Sequence, residues 1–421
     1  IMAFVMGITA WFVLIITLIA AIFLLAGFLR QDMVALILLS ILGITGIVTP
    51  QDIFSGFSSP AVITLLGVFL LTEGLRSTGA TSELGCWLAK VGAKTQTAAV
   101  FSISLAAATL SLIMNNVAAV GVLIPTVQAM ADKANLSQRR LLLPAAFGVS
   151  LGGMATLLTN ANIIMGSALR SAGYNGYGLL DFFPVGAPAI LAGVLFLAWV
   201  GWRLLPEKKV DPLVVPVINE NVQPSKKKIR VAVAILVITL VLAAFDFVSV
   251  PEILLAGGVL MALTGCVTLD GFYHKVDWRV IFLIAGMWPL SIAIGTSGLA
   301  AAGSELIVSL TGSAAPLVIA AIIMAVAMGI TQILSSQVTA LIVAPLAITL
   351  AVSTGIDPRA MGMAAALGCS MAFITPYGHA VNLLVMHPGG YATRDFIKVG
   401  VPMTVIVYIV LLTGLHFFWG L

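Results

Sequence analysis

Four short polar clusters interrupt long apolar stretches of this chain. They are Asn115-Asn116, Thr159-Asn160-Ala161-Asn162, Ser335-Ser336-Gln337 and Thr375-Pro376-Tyr377-Gly378-His379, with Asn382 just behind the last. They supply hydroxyls, carboxamides and one imidazole, and none contains Asp, Glu, Lys or Arg. The set makes no acid–base pair, but it suits reversible ion binding. Where an apolar helix is interrupted, backbone N–H and C=O groups come free. The N-terminus of the following half-helix then turns a positive dipole end toward an anion. Freed carbonyls and side-chain oxygens hold a hard cation such as Na⁺. Without fixed charges there is no permanent ion pair, and the site can release what it binds.

The elements that must position these clusters are membrane helices. Of 421 residues, 61% are apolar and 9% charged, with a mean hydropathy of +1.15. Soluble domains run at about 45–50% apolar and about 25% charged. So few charges cannot cover a water-exposed surface of this size, which excludes a soluble enzyme, a nucleic-acid binder and a disordered scaffold. The expected fold class is an all-α polytopic membrane protein. Uninterrupted spans are predicted near 3–28, 31–48, 59–75, 182–204, 229–247, 250–268, 278–294 and 398–419. The polar clusters sit inside four further apolar stretches, 97–131, 140–172, 314–352 and 358–389. Polar, helix-breaking residues are tolerated at membrane depth only where they line a cavity or are buried in protein.

The cations test one topology. With the loop 205–230 inside, 97–131 is read as a re-entrant hairpin from the inside and 314–352 as one from the outside. Eighteen of the twenty Lys and Arg residues then fall inside, leaving only Arg170 and Arg359 outside, as the positive-inside rule requires. The net charge of +4 is accordingly a topology signal. The halves also resemble each other at an offset of about 219: Ile44-Thr45-Gly46-Ile47-Val48-Thr49 matches Leu263-Thr264-Gly265-Cys266-Val267-Thr268, and Ser77-Thr78-Gly79 matches Thr296-Ser297-Gly298. The expected organisation is a first repeat over 1–205, with its hairpin about 97–131 and a broken helix about 140–172. A cytoplasmic linker follows over 206–229. The second, inverted repeat covers 230–421, with its hairpin about 314–352 and a broken helix about 358–389. Inverted repeats with broken helices at equivalent places are the mark of secondary transporters.

The residues from Thr375 to Met403, TPYGHAVNLLVMHPGGYATRDFIKVGVPM, resemble the second unwound loop and following helix of permeases in the divalent anion:sodium symporter (DASS) family of the ion transporter superfamily. Gly152 to Ile164, GGMATLLTNANII, is similar to the equivalent loop of the first repeat. NNVAAVGVLIP (Asn115 to Pro125) and SSQVTALIVAP (Ser335 to Pro345) stand where the family carries its Ser-Asn-Thr tips, each with nine residues from the motif's middle residue to proline. The resemblance runs over nearly the whole chain. It implies a dimerising scaffold, a moving transport domain, and sodium-coupled uptake of a divalent anion by an elevator motion. It implies an anion site at Asn115, Asn116, Val117, Ser335, Ser336, Gln337, Thr375, Pro376, Gly378 and His379. It implies Na⁺ ligands among Asn116, Thr159, Asn160, Asn162, Ser336, Thr375 and Asn382. Both tips lack the family's threonine and the second lacks its asparagine, which keeps sulfate open beside di- and tricarboxylates. Relatives of this type often carry TrkA-C domains between the halves, where this sequence has only 206–229.

Each candidate also has a plain structural reading. Asn116 could cap a helix, and Ser335 and Ser336 could bond their own backbone. His379 could bind the anion, carry a coupled proton or simply tie the loop. Glu73 reads as a local partner of Arg76. Cys86, Cys266 and Cys369 are spaced as packing residues, with no disulfide or metal framework. Gly148-Val149-Ser150-Leu151-Gly152 fits a GxSxG pattern, yet a helical context offers no strand-to-helix elbow. Walker A and dinucleotide fingerprints are absent. The expectation is a multi-pass transporter of the plasma (inner) membrane, not an enzyme. It has no cofactor beyond Na⁺ as coupling ion, a small divalent anion and the lipid bilayer as partners, a homodimeric state, and no nucleic acid. The alternatives are a proton-coupled carrier, an oxyanion exchanger of the arsenite-efflux kind, and an anion channel.

Overall fold

The computed structural model describes residues 7–81, 83, 95–206, 225–245, 248–312 and 314–421. Cys86, Lys90, Lys94, Asp246 and most of the expected linker, with Lys208 and Lys209, lie outside the described residues. Regular structure among the described residues is entirely helical. The first half contains α1 (Ile8–Ala26), α2 (Gln31–Ile44), α3 (Pro60–Thr78), α4 (Gln96–Ile113), α5 (Asn116–Ala134), α6 (Arg139–Met154), α7 (Asn160–Ser171) and α8 (Phe183–Trp199). The second contains α9 (Lys226–Ala244), α10 (Val250–Leu263), α11 (Leu269–Lys275), α12 (Trp278–Thr296), α13 (Leu299–Thr311), α14 (Pro316–Thr331), α15 (Ser336–Thr354), α16 (Pro358–Ser370), α17 (Ala380–Met386) and α18 (Thr393–Trp419). Among the described residues, seven of these are long and apolar enough to cross a membrane. The short α11 and the thirteen-residue α13 were not anticipated as separate elements.

The two halves repeat one order of elements. α1, α2, α3, α4, α5, α6 and α7 start 218 to 220 residues before α9, α10, α12, α14, α15, α16 and α17 respectively. Packing is reciprocal across the halves. α2 lies on α12 while α3 lies on α10; α4 lies on α6 as α14 lies on α16; and α8 lies on α18. A two-fold relation between the halves produces this exchange of partners, as in inverted repeats.

Helix is interrupted where the polar clusters fall. α4 and α5 are separated by Met114 and Asn115, α14 and α15 by residues 332–335, α6 and α7 by 155–159, and α16 and α17 by 371–379. Pro125 and Pro345 lie inside α5 and α15. The GxSxG glycines serve packing. A Cβ on Gly152 would sit 2.1 Å from the carbonyl oxygen of Ala108, and one on Gly148 2.5 Å from that of Ser104. Small residues let the backbones of α4 and α6 approach, which is how membrane helices associate tightly. The expected Glu73–Arg76 pair is present at 2.8 Å, and Cys266 and Cys369 are free and buried.

Candidate functional site

The four interruptions open onto one cavity of ≈ 390 Å³, within the size range of small-ligand sites. The first residues of α5, α7, α15 and α17 (Asn116, Asn160, Ser336 and Ala380) all line it. So do the residues just before them, Asn115, Thr159, Ser335 and His379. Four helix N-termini, two from each half, thus share one space. Val117, Gln337 and Gly378, also expected at the site, line it too. The two hairpin tips, far apart in sequence, therefore meet across this cavity.

The four residues before the helices are used differently. Asn115 accepts the N–H of Val117 at 2.9 Å, and His379 accepts that of Val381 on Nδ1 at 3.2 Å. The hydroxyls of Thr159 and Ser335 are buried without a hydrogen-bond partner, as are the amide oxygens Oδ1 of Asn160, Asn162 and Asn382. Buried polar atoms are rarely left so. Hydroxyl and amide oxygens free of partners are the donor type a hard cation takes. No group of three or more His, Cys, Asp or Glu able to hold a metal occurs among the described residues.

Asn162 and Asn382, both fully buried, stand behind the wall. Asn162 donates to the carbonyls of Thr156 (2.7 Å) and Gly153 (3.5 Å). Asn382 donates to those of Ala372 (2.7 Å) and Thr375 (3.2 Å). Thr375 donates to the carbonyl of Gln332 at 2.5 Å. Thr375, Pro376, Asn162 and Asn382 thus fasten or border the loops without lining the cavity.

The direct side-chain bond between the halves at this site joins Asn116 and His379. The Asn116 carboxamide lies 2.6 Å from the Ser111 hydroxyl and 3.3 Å from Nε2 of His379. A neutral imidazole has one acceptor nitrogen, and here Nδ1 is taken by Val381. Nε2 then carries the proton and needs an acceptor. A half-turn of the carboxamide, which brings its oxygen to His379 and its NH₂ to Ser111, satisfies all three groups.

Several residues that line the cavity or brace its loops escaped the sequence reading. Ser150 and Ser370 stand at equivalent places in the two repeats, each bonded back to the carbonyl four residues earlier at 3.2 Å. The repeated Gly148-Val149-Ser150 and Gly368-Cys369-Ser370 were their signal. Gln332 was read as part of an apolar run, yet its Nε2 donates to Met371 (2.8 Å) and Met328 (3.0 Å), and its Oε1 accepts the N–H of Ile374 (3.1 Å). At one end the cavity wall includes Arg30, Asp32, Asp277 and Arg279, with Arg30 and Asp32 paired at 2.7 Å.

Residues 11–368 match the citrate transporter family CitMHS. The sodium-dependent dicarboxylate transporter SdcS of Staphylococcus saprophyticus is 22% identical over 91% of this chain and 81% of its own length. Sodium/sulfate cotransporter 1 of Chlamydomonas reinhardtii is 32% identical over 36% of this chain and 17% of its own length. Among solved structures, the Alcanivorax borkumensis YdaH transporter superposes with a TM-score of 0.66 at 16% identity, covering 87% of this chain and 86% of that one.

Proposed function

The chain belongs to the citrate transporter family CitMHS, and from that premise we propose that it is a Na⁺-coupled symporter of a divalent anion, sulfate or a di- or tricarboxylate. It is a multi-pass membrane transporter, not an enzyme. The observation that carries the proposal is the convergence of four helix N-termini on one cavity whose tips hold no ionised side chain. Aligned N–H groups favour an anion, and the unpartnered oxygens of Thr159, Asn160, Asn162, Ser335 and Asn382 beside them suit co-bound Na⁺. The likeness to SdcS and to the Chlamydomonas cotransporter, named as sodium-dependent for a dicarboxylate and as a sodium/sulfate cotransporter, supports both halves of the reading.

In this reading Asn115, Asn116, Val117, Ser335, Ser336, Gln337, Gly378 and His379 face the anion, and Thr375 and Pro376 shape their loop. Thr159, Asn160 and Asn162, with Asn116, hold one Na⁺, and Ser336, Thr375 and Asn382 border a second. Residues 1–205 and 230–421 act as inverted repeats joined by a cytoplasmic linker over 206–229. The protein works as a homodimer in the plasma membrane, and the site moves by an elevator motion. In the same reading the end of the cavity lined by Arg30 and Arg279, cations that the positive-inside rule assigns to the inside, faces the cytoplasm.

A binding measurement tests the site directly. The melting temperature of purified protein is followed with sulfate, succinate or citrate, in Na⁺ and in choline. A ligand that binds only the folded state stabilises it by mass action. One anion should raise the melting temperature in Na⁺ and not in choline. Stabilisation by an anion to the same extent in both salts would sink the coupling.

A further inference from the structure

Two side-chain clusters outside the cavity repeat each other across the molecule. Tyr177-Gly178-Leu179-Leu180-Asp181-Phe182 leads into α8, and Tyr391-Ala392-Thr393-Arg394-Asp395-Phe396 leads into α18, with the same Tyr-x3-Asp-Phe spacing. In the first, Asp181 accepts Nη2 of Arg359 at 2.6 Å, and the Tyr177 hydroxyl donates to the Arg359 carbonyl at 2.7 Å. The guanidinium lies over the rings of Tyr177 and Trp419. In the second, Asp395 accepts Nη2 of Arg139 at 2.6 Å and the N–H of Ala392 at 2.9 Å. The Tyr391 hydroxyl donates to the Arg139 carbonyl and accepts the N–H of Leu143 at 2.9 Å, and Arg139 lies over the Tyr391 ring. Each tyrosine also packs against the phenylalanine of its own motif.

The connection is crosswise. The segment at the end of the first half grips the start of α16 in the second, and the segment in the second half grips the start of α6 in the first. α6 and α16 are the helices that run into the two site loops, 155–159 and 371–379. Helices are stiff, with about 1.5 Å of rise per residue, so a helix gripped at its start has its far end fixed as well. None of the clamp residues lines the cavity.

We propose that the two Tyr-x3-Asp-Phe segments are reciprocal clamps, each of which positions the broken helix of the opposite half so that the two halves of the site stay assembled as one body. Tyr177, Asp181, Arg359, Tyr391, Asp395 and Arg139 are positioning residues. The proposal rests on the transport reading only for its purpose; the coupling itself is testable without substrate.

The test places cysteines at 116 and 379 in a background lacking Cys86, Cys266 and Cys369, and measures the rate of oxidative cross-linking in membranes. Asp395→Asn, Tyr391→Phe and Asp181→Asn should each slow the reaction by about three- to tenfold, the range expected of residues that couple distant sites. Asp395→Glu should restore much of the rate. Glu73→Gln breaks an ion pair in α3, away from both clamps, and should leave the rate unchanged. Tyr391→Phe removes a single hydroxyl and covers the case in which an Asp variant fails to fold. Unaltered rates in the folded clamp variants would overturn the proposal, and so would an equal slowing by Glu73→Gln. A failure of the transport reading would show as absent uptake by the protein that retains Asn116 and His379, with the cross-linking pattern intact.

Discussion

The two interrupted helices share a plan and differ in how their loops are held. In the second half, Gln332 spans its loop with bonds to Met371 and Ile374, Thr331 donates to Cys369 at 2.9 Å, and the N–H of Ser336 donates to Gly378 at 3.3 Å. A Cβ on Gly378 would lie 2.3 Å from the Thr331 carbonyl oxygen, so this tip and loop are in backbone contact. In the first half, the positions equivalent to Thr331 and Gln332 are Ser111 and Leu112. Ser111 turns to Asn116 instead, and Leu112 has no side-chain donor or acceptor. The first loop keeps three unpartnered oxygens on Thr159, Asn160 and Asn162, against Ser335 and Asn382 at the second site. The second loop is thus held by side chains of the adjoining hairpin, whereas the first has no such staple at the equivalent positions. A stapled loop costs less to order on binding, and the open loop is where a cation adds most.

The strongest way to break this comparison is Asn382→Ala. It leaves the buried carbonyl of Ala372 without its donor, at about 1–3 kcal/mol, and takes the same donor from the half-buried Thr375; uptake should fall to background while expression persists. Asn116→Ala should abolish uptake as well, because it removes the side-chain bond to His379 that joins the halves at the site. Wild-type uptake in either variant refutes its place in the site.

The two clamps give the next effect. Asp395 and Arg139 are 1% and 6% exposed, whereas Asp181 and Arg359 are 31% and 33% exposed. Asp395→Asn should cost about 3–5 kcal/mol by stranding a buried cation. Asp181→Asn should cost under about 1 kcal/mol, being screened by solvent. Melting temperatures of the two variants check the order, and equal shifts contradict it. Gln332→Leu makes the second loop resemble the first and should destabilise the protein by about 2 kcal/mol. It should weaken anion affinity more than Na⁺ affinity, as uptake kinetics would read. The smallest change is Thr159→Val, which removes one of the unpartnered oxygens proposed to hold the cation. It should raise the half-saturating Na⁺ concentration by about fivefold, equivalent to roughly 1 kcal/mol, and leave the anion KM nearly unchanged.

Much of this architecture was legible in the residues. Polar punctuation inside apolar runs marked all four interruptions, because lipid tolerates no unsatisfied backbone, and the repeat offset placed Asn116 opposite Ser336. The staples were not legible. Gln332 sits in an apolar stretch, and its bonds reach residues some forty positions away that only the folded chain brings near. The clamps escaped for a different reason. Tyr177 and Tyr391 stand 214 residues apart, off the 219 offset of the other matches, because the connections before α8 and α18 differ in length. Arg359, one of the two cations expected on the outer side, is paired with Asp181, a partner that the sequence does not single out.

The most direct test of the central claim is uptake into sealed proteoliposomes. Radiolabelled sulfate, succinate and citrate are each offered under an inward Na⁺ gradient, an equal K⁺ gradient, or a pH gradient alone. The account predicts concentrative uptake of one of these anions with Na⁺, and none with K⁺ or pH. Uptake that follows the pH gradient and ignores Na⁺ would contradict it.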